Sequence, residues 1–141
     1  MLGLLYTIVR EYDKAIAQCE RALNLAPNSS RAHGWCGWAY RYCSLHEEAI
    51  RTFEQAVRLD PISESGVFRG LARSYAFLGR HEEAIAAGRK AVETRPNDPM
   101  AHLNLAAAYG MAGRNEEARS EAAEVLRIDP KFTLERYENK M

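Results

Sequence analysis

The chain has no material for a disulfide framework. Its cysteines number three, Cys19, Cys36 and Cys43, with no CxxC pair. Such an odd, scattered set reads as buried small hydrophobes in a reducing, cytoplasmic compartment. Neither sign of charge prevails: Lys plus Arg equals Asp plus Glu, 19 against 19. Phosphate backbones are bound through a clear basic excess, so the balance argues against nucleic acid, RNA included, as the main partner. No apolar run is long enough to cross a membrane. The apolar opening from Met1 to Val9 lacks the basic start and the small-residue cleavage site of a secretion signal.

Signatures of chemistry are also missing. There is no GxxxxGK[ST] loop, no GxGxxG after a strand and no GxSxG elbow. The four histidines, His33, His46, His81 and His102, form no HxxxH pair and no Cys/His cluster. They recur by register instead, and read as flat, partly buried packing residues. No metal, cofactor or catalytic residue is expected.

What the sequence does hold is a period. Tyr6, Tyr40, Tyr75 and Tyr109 stand 34, 35 and 34 residues apart, and so do Ala15, Ala49, Ala84 and Ala118. Pro27, Pro61, Pro96 and Pro130 keep the same steps, as do Ala22, Ala56 and Ala91 with Val125 in the fourth place. A fixed period of this size means stacked small units rather than one globular core. The units fall at about 1–29, 30–64, 65–98 and 99–132, leaving 133–141 as a partial cap.

Each unit reads as two helices. In the second unit these cover about Arg31 to Ser44 and Glu47 to Leu59. Ala49, Ile50, Phe53, Ala56 and Val57 share one helical face. Gly37, Ala72 and Ala106 mark close crossings against Ala49, Ala84 and Ala118. The acidic pairs Glu47-Glu48, Glu82-Glu83 and Glu116-Glu117 open second helices, where negative charge suits the helix dipole. A catalytic carboxylate pair is the sharper alternative, but recurrence in every unit favours the structural role. The prolines end second helices. Asn28-Ser29-Ser30 and Asn97-Asp98-Pro99 then supply caps and a helix-opening proline. The extra residue of the longer step is placed in the Ile62 to Ser65 turn.

This period, with its Leu-Gly/Ala, Tyr, Ala, Ala and Pro landmarks, resembles the tetratricopeptide repeat over about 130 of the 141 residues. Segments such as HEEAIAAGRKAVETRPND and NEEARSEAAEVLRIDP are similar to that family's pattern. The resemblance implies an all-α, right-handed superhelical solenoid of antiparallel helix pairs. It also implies a concave groove, lined by first helices, that holds a partner segment. Some family members grip a C-terminal carboxylate with Lys, Asn and Arg on successive first helices. The matching places here hold Leu4, Trp35, Gly66 and Gly70, or one repeat on Gly34, Trp38, Gly70, Met100 and Asn104, so neither register supplies that clamp. A second resemblance is of context: the ending RIDPKFTLERYENKM after alanine-rich repeats is similar to repeat regions of bacterial class III nucleotide cyclases. It would make the chain a regulatory arm of a larger enzyme.

Helix geometry selects the groove residues. Trp38, Arg41 and Tyr42 share a face at i, i+3, i+4. Arg69, Arg73 and Phe77 do so in the third unit, and Leu103, Asn104 and Met111 in the fourth. Arginine pairs bidentately with carboxylates, and Trp and Tyr offer rigid contact area. The expectation is a non-catalytic scaffold for a protein or peptide segment carrying acidic and apolar or aromatic side chains. The alternative for Trp38, Tyr42 and Phe77 is packing between repeats beside solvated arginines. Uncapped ends would also permit homo-oligomers by stacking or helix exchange.

Overall fold

The structure is a computed structural model that describes residues 2–62 and 65–132, with described side chains at 10–62 and 66–132. Seven helices account for nearly all of it, and there is no strand among the described residues. They are α1 (Leu2–Leu25), α2 (Ser30–Tyr42), α3 (His46–Leu59), α4 (Ser65–Phe77), α5 (His81–Thr94), α6 (Pro99–Met111) and α7 (Asn115–Ile128). The pairs α2/α3, α4/α5 and α6/α7 are the units, and α3 packs on α4 as α5 packs on α6. The first helices α2, α4 and α6 lie side by side as one layer.

Local chemistry sets the boundaries. Ser29 caps α2 by accepting from the Ala32 N–H at 3.1 Å. Asp98 caps α6 by accepting from the Met100 N–H at 2.9 Å, with Pro99 opening the helix. Within each unit the first helix ends on a left-handed residue: Ser44 at φ 61°, Gly79 at φ 76° and Gly113 at φ 80°. The next N–H then reaches back to the tyrosine carbonyl, Leu45 to Tyr40, Arg80 to Tyr75 and Arg114 to Tyr109, each at 2.9 Å. Ser44 thus belongs to the turn and not to α2. The acidic pairs do open α3, α5 and α7. Glu83 and Glu117 are gripped bidentately by Arg80 and Arg114, at 2.8 and 2.6 Å in both cases.

The first unit departs from the helix-pair expectation. α1 runs unbroken through Arg10 and Glu11, where the turn of that unit should lie. Arg10 occupies the register of Ser44, Gly79 and Gly113. A non-glycine residue in the left-handed conformation costs roughly 1–2 kcal/mol, a cost that Ser44 bears in the second unit and that the unbroken helix avoids at Arg10. The 35-residue step falls at residues 63–64 and the partial cap at 133–141, both outside the described residues.

The core is one ribbon of apolar contacts from Ala49 to Tyr109. Its largest fully buried side chain is Phe53. The ring is clasped between Gly37 of α2 and Gly70 of α4, where an added Cβ would fall inside contact distance of its carbons. Ala49, Ala84 and Ala72 are buried at helix crossings as expected, whereas Ala118 and Ala106, in the last unit, are only half-buried.

Candidate partner-binding groove

The layer of first helices brings part of the expected groove together as one cluster. Trp38 stands edge-on to Phe53, with ring centres 5.8 Å apart, so its inner edge is anchored in the core. Its other ring contacts are with Tyr42 and two arginines. Tyr42 lies 5.9 Å away, centre to centre, and is 62% exposed. The Arg41 guanidinium sits 5.4 Å from the Trp38 ring centre and 5.6 Å from that of Tyr42. From α4, Arg69 approaches the Trp38 ring at 6.0 Å. Trp38 thus packs on the core ring and also meets Tyr42, Arg41 and Arg69.

Charge in this cluster is one-sided. Among the described residues no carboxylate stands within ion-pair distance of Arg41, Arg69 or Arg73. Burial holds the Arg41 guanidinium below its ordinary pKa, and the neighbouring Arg73 charge pushes the same way. The Nε–H groups of Arg41 and Arg69 are buried without a hydrogen-bond partner. A buried donor left unpaired costs about 1–3 kcal/mol, which an incoming acceptor would recover.

Beside the cluster lies a slot of about 370 Å³ that the sequence reading missed. Gly34 and Gly66 leave the space, Trp35 and Trp38 wall it, and Ser30, Arg31, Asp60 and Val67 complete its lining. Trp35 is 58% exposed there. The signal was present in part, since Trp35 stands three residues before Trp38 and seven before Tyr42 on the same helical face, but the slot also needs Gly66 and Val67 from the next unit, which spacing along one helix does not bring to it.

The remaining expected residues take other places. Phe77 stacks on His46 of α3 with ring centres 3.9 Å apart, and still leaves 70% of itself exposed. Leu103 and Asn104 are half-buried on α6, the Asn104 Nδ2 having no partner, and Met111 is exposed at the end of that helix. A depression on the other layer, near 440 Å³ between α3 and α5, differs in kind. There the Tyr75 hydroxyl donates to Glu54, and burial together with that bond raises the phenol pKa. Its polar groups are already served.

Two of the described cysteines are held as thiols. Burial and the neighbouring Cys19 raise the Cys36 thiol to about 12, and Cys43 is also raised, by burial first. Among the described residues no three His, Cys, Asp or Glu side chains converge as a metal site. Nor is any described helix long and apolar enough to cross a membrane.

Comparison with known proteins agrees with this architecture. Tetratricopeptide-repeat profiles match residues 1–64 and 37–99, and a further one matches 78–139. The chain belongs to the tetratricopeptide-repeat family. Among sequence relatives, the Protein STIP1 homolog of Dictyostelium discoideum is 33% identical over 85 residues, covering 60% of this chain and 15% of the relative. Small glutamine-rich tetratricopeptide repeat-containing protein 2 of Mycosarcoma maydis is 31% identical over 98 residues, 70% of this chain and 28% of that protein. The chain thus spans under a third of the length of these two relatives. Among solved structures, MamA from Desulfovibrio magneticus RS-1 superposes with a TM-score of 0.79 over 91% of this chain and 72% of its own, at 20% identity. A second MamA structure gives 0.77 over 99% and 78%, at 23% identity. At such identity the likeness is one of fold. The helices α2, α4 and α6, which form one layer, are the first helices of the chain's three closed units.

Proposed function

We propose that this chain is a non-catalytic scaffold whose inner face holds a segment of a partner protein, in a reducing, cytoplasmic compartment. The observation that carries the reading is the arginine cluster at Trp38: Arg41 and Arg69 over the ring, each with a buried unpaired donor, Arg73 close enough to act on Arg41, and no carboxylate among the described residues to neutralise them. A partner carboxylate would supply both the charge and the acceptor. The tryptophan-walled slot beside it fits an apolar or aromatic side chain a few residues away on the same segment. The preferred ligand is therefore an extended or helical segment with an acidic residue near an aromatic or large aliphatic one.

Selection from a random peptide-display library tests this directly. The enriched sequences should pair Asp or Glu with an aromatic or aliphatic residue at short spacing. Arg73→Glu should weaken the selected peptide at least about tenfold, the loss typical of a central arginine contact, while the helical signal and melting temperature stay unchanged. Enrichment of basic or purely polar sequences, or an affinity indifferent to Arg73→Glu, would overturn the reading.

A further inference from the structure

The unbroken first helix leaves a face uncovered and carries away the segment that would cover it. In the second and third units, Ala49 and Ile50, and Ala84 and Ile85, are buried, the isoleucines at 4% and 2% exposure, because a first helix folds back over them. Their counterparts Ala15 and Ile16 are only half-buried, as is Ala22, whose counterparts Ala56 and Ala91 are fully buried, so this face is covered by its own chain only around Cys19, which is 0% exposed beside Cys36 of α2. The sequence that belongs on this face is present in the chain: residues 2–9 carry Gly3 and Tyr6 in the register of Gly37 and Tyr40. Continuation through Arg10 holds that segment in line with α1, so it cannot reach the face of its own chain.

We infer that a second copy of this chain supplies it, two α1 helices lying antiparallel and exchanging their first halves. The register says which residues would meet in the exchange. Gly37 lies over Phe53 within a closed unit, and the equivalent pairing sets residue 3 opposite residue 19. In an antiparallel pair that register maps onto itself, with residue 19 opposite residue 3 of the other copy. The two-fold axis then falls at residue 11, next to the position that failed to turn. Any antiparallel pair of identical helices closes on itself in this way, as a two-fold contact must. A helix of 24 residues, about 36 Å long, gives room for both halves.

The test uses the full chain. Sedimentation over a concentration series should give a reversible dimer. A mixture of differently isotope-labelled copies should show inter-chain contacts between residues 2–9 and residues 15–22 by filtered nuclear Overhauser spectroscopy. Arg10→Gly permits the left-handed turn and should weaken the dimer at least about fivefold, moving the same contacts within one chain, while Arg10→Ala keeps the dimer. A monomer at all concentrations, a dimer lacking those contacts, or a dimer unmoved by Arg10→Gly would overturn the inference.

Discussion

At His102 both ring nitrogens meet acceptors. Nδ1 lies 2.6 Å from the Glu121 carboxylate and Nε2 lies 2.7 Å from the Pro96 carbonyl oxygen. Neither oxygen can donate, so the doubly protonated ring satisfies both. Burial opposes that charge, but the Glu121 bond, the Pro96 carbonyl and the carboxylate's field outweigh it and raise the histidine's pKa. A pKa raised on folding contributes stability that is fully present below the unfolded value, near 6.5, and lost as pH rises through the folded one. Urea unfolding should therefore show a more stable protein at pH 5.5 than at pH 9. His102→Gln should flatten that difference and cost about 1–3 kcal/mol on the acidic side. A profile equally steep in the variant would assign the pH dependence elsewhere. The register marked His33 and His102 as equivalent packing residues, and His33 does reach the Pro27 carbonyl at 2.9 Å. What it could not show is Glu121, which stands where the second unit has Thr52. That partner is contributed by another helix, and only the folded pair brings it to the ring.

Among the elements, turns decided what the period could not. The helix pairs of units two to four were legible because tyrosine, alanine and proline each recur at fixed packing places. The continuous α1 was not, because the landmarks Tyr6 and Ala15 are in step and Arg10 differs only in a backbone requirement. Ser44 tests that requirement in a unit that does close. It holds φ 61° without the freedom of glycine. Ser44→Gly should stabilise the protein by about 0.5–1 kcal/mol, seen as a melting temperature a few degrees higher. Gly113→Ala, at φ 80°, should destabilise it by about 1–2 kcal/mol. If Ser44→Gly lowered the melting temperature, the serine would be stabilising its turn in some way other than backbone freedom. The close crossings make the converse point about space. Gly70→Ala keeps helix propensity but drives a methyl into the Phe53 ring, so it should cost about 1–3 kcal/mol although alanine favours helix.

For the whole molecule, helical spacing made part of the candidate cluster legible: the meeting of Trp38, Arg41 and Tyr42 on α2, though not the approach of Arg69 from α4. The tryptophan slot and the turning of Phe77 toward His46 depend on how successive units are rotated, which spacing along one helix does not encode. The same stacking predicts how stability is distributed. In a solenoid each unit is held by its own packing and its immediate neighbours, so interior units are held on two sides and end units on one. Burial follows this order. Helices α3 and α5 each bury five residues, while the described part of α7 buries Val125 alone and leaves Leu126 exposed. Native-state hydrogen exchange should accordingly be graded. The amides of α3, α4 and α5 should exchange only through global unfolding, with the steepest denaturant dependence. Those of α7 should open through a smaller, local event at lower free energy. Phe53→Ala removes the ring that joins α2, α3 and α4, and it should lower protection across those helices by about 3–5 kcal/mol while changing α7 far less. Protection falling equally in α7 would mean that the ribbon of contacts unfolds as one cooperative core, and the repeat-by-repeat account of its stability would fail.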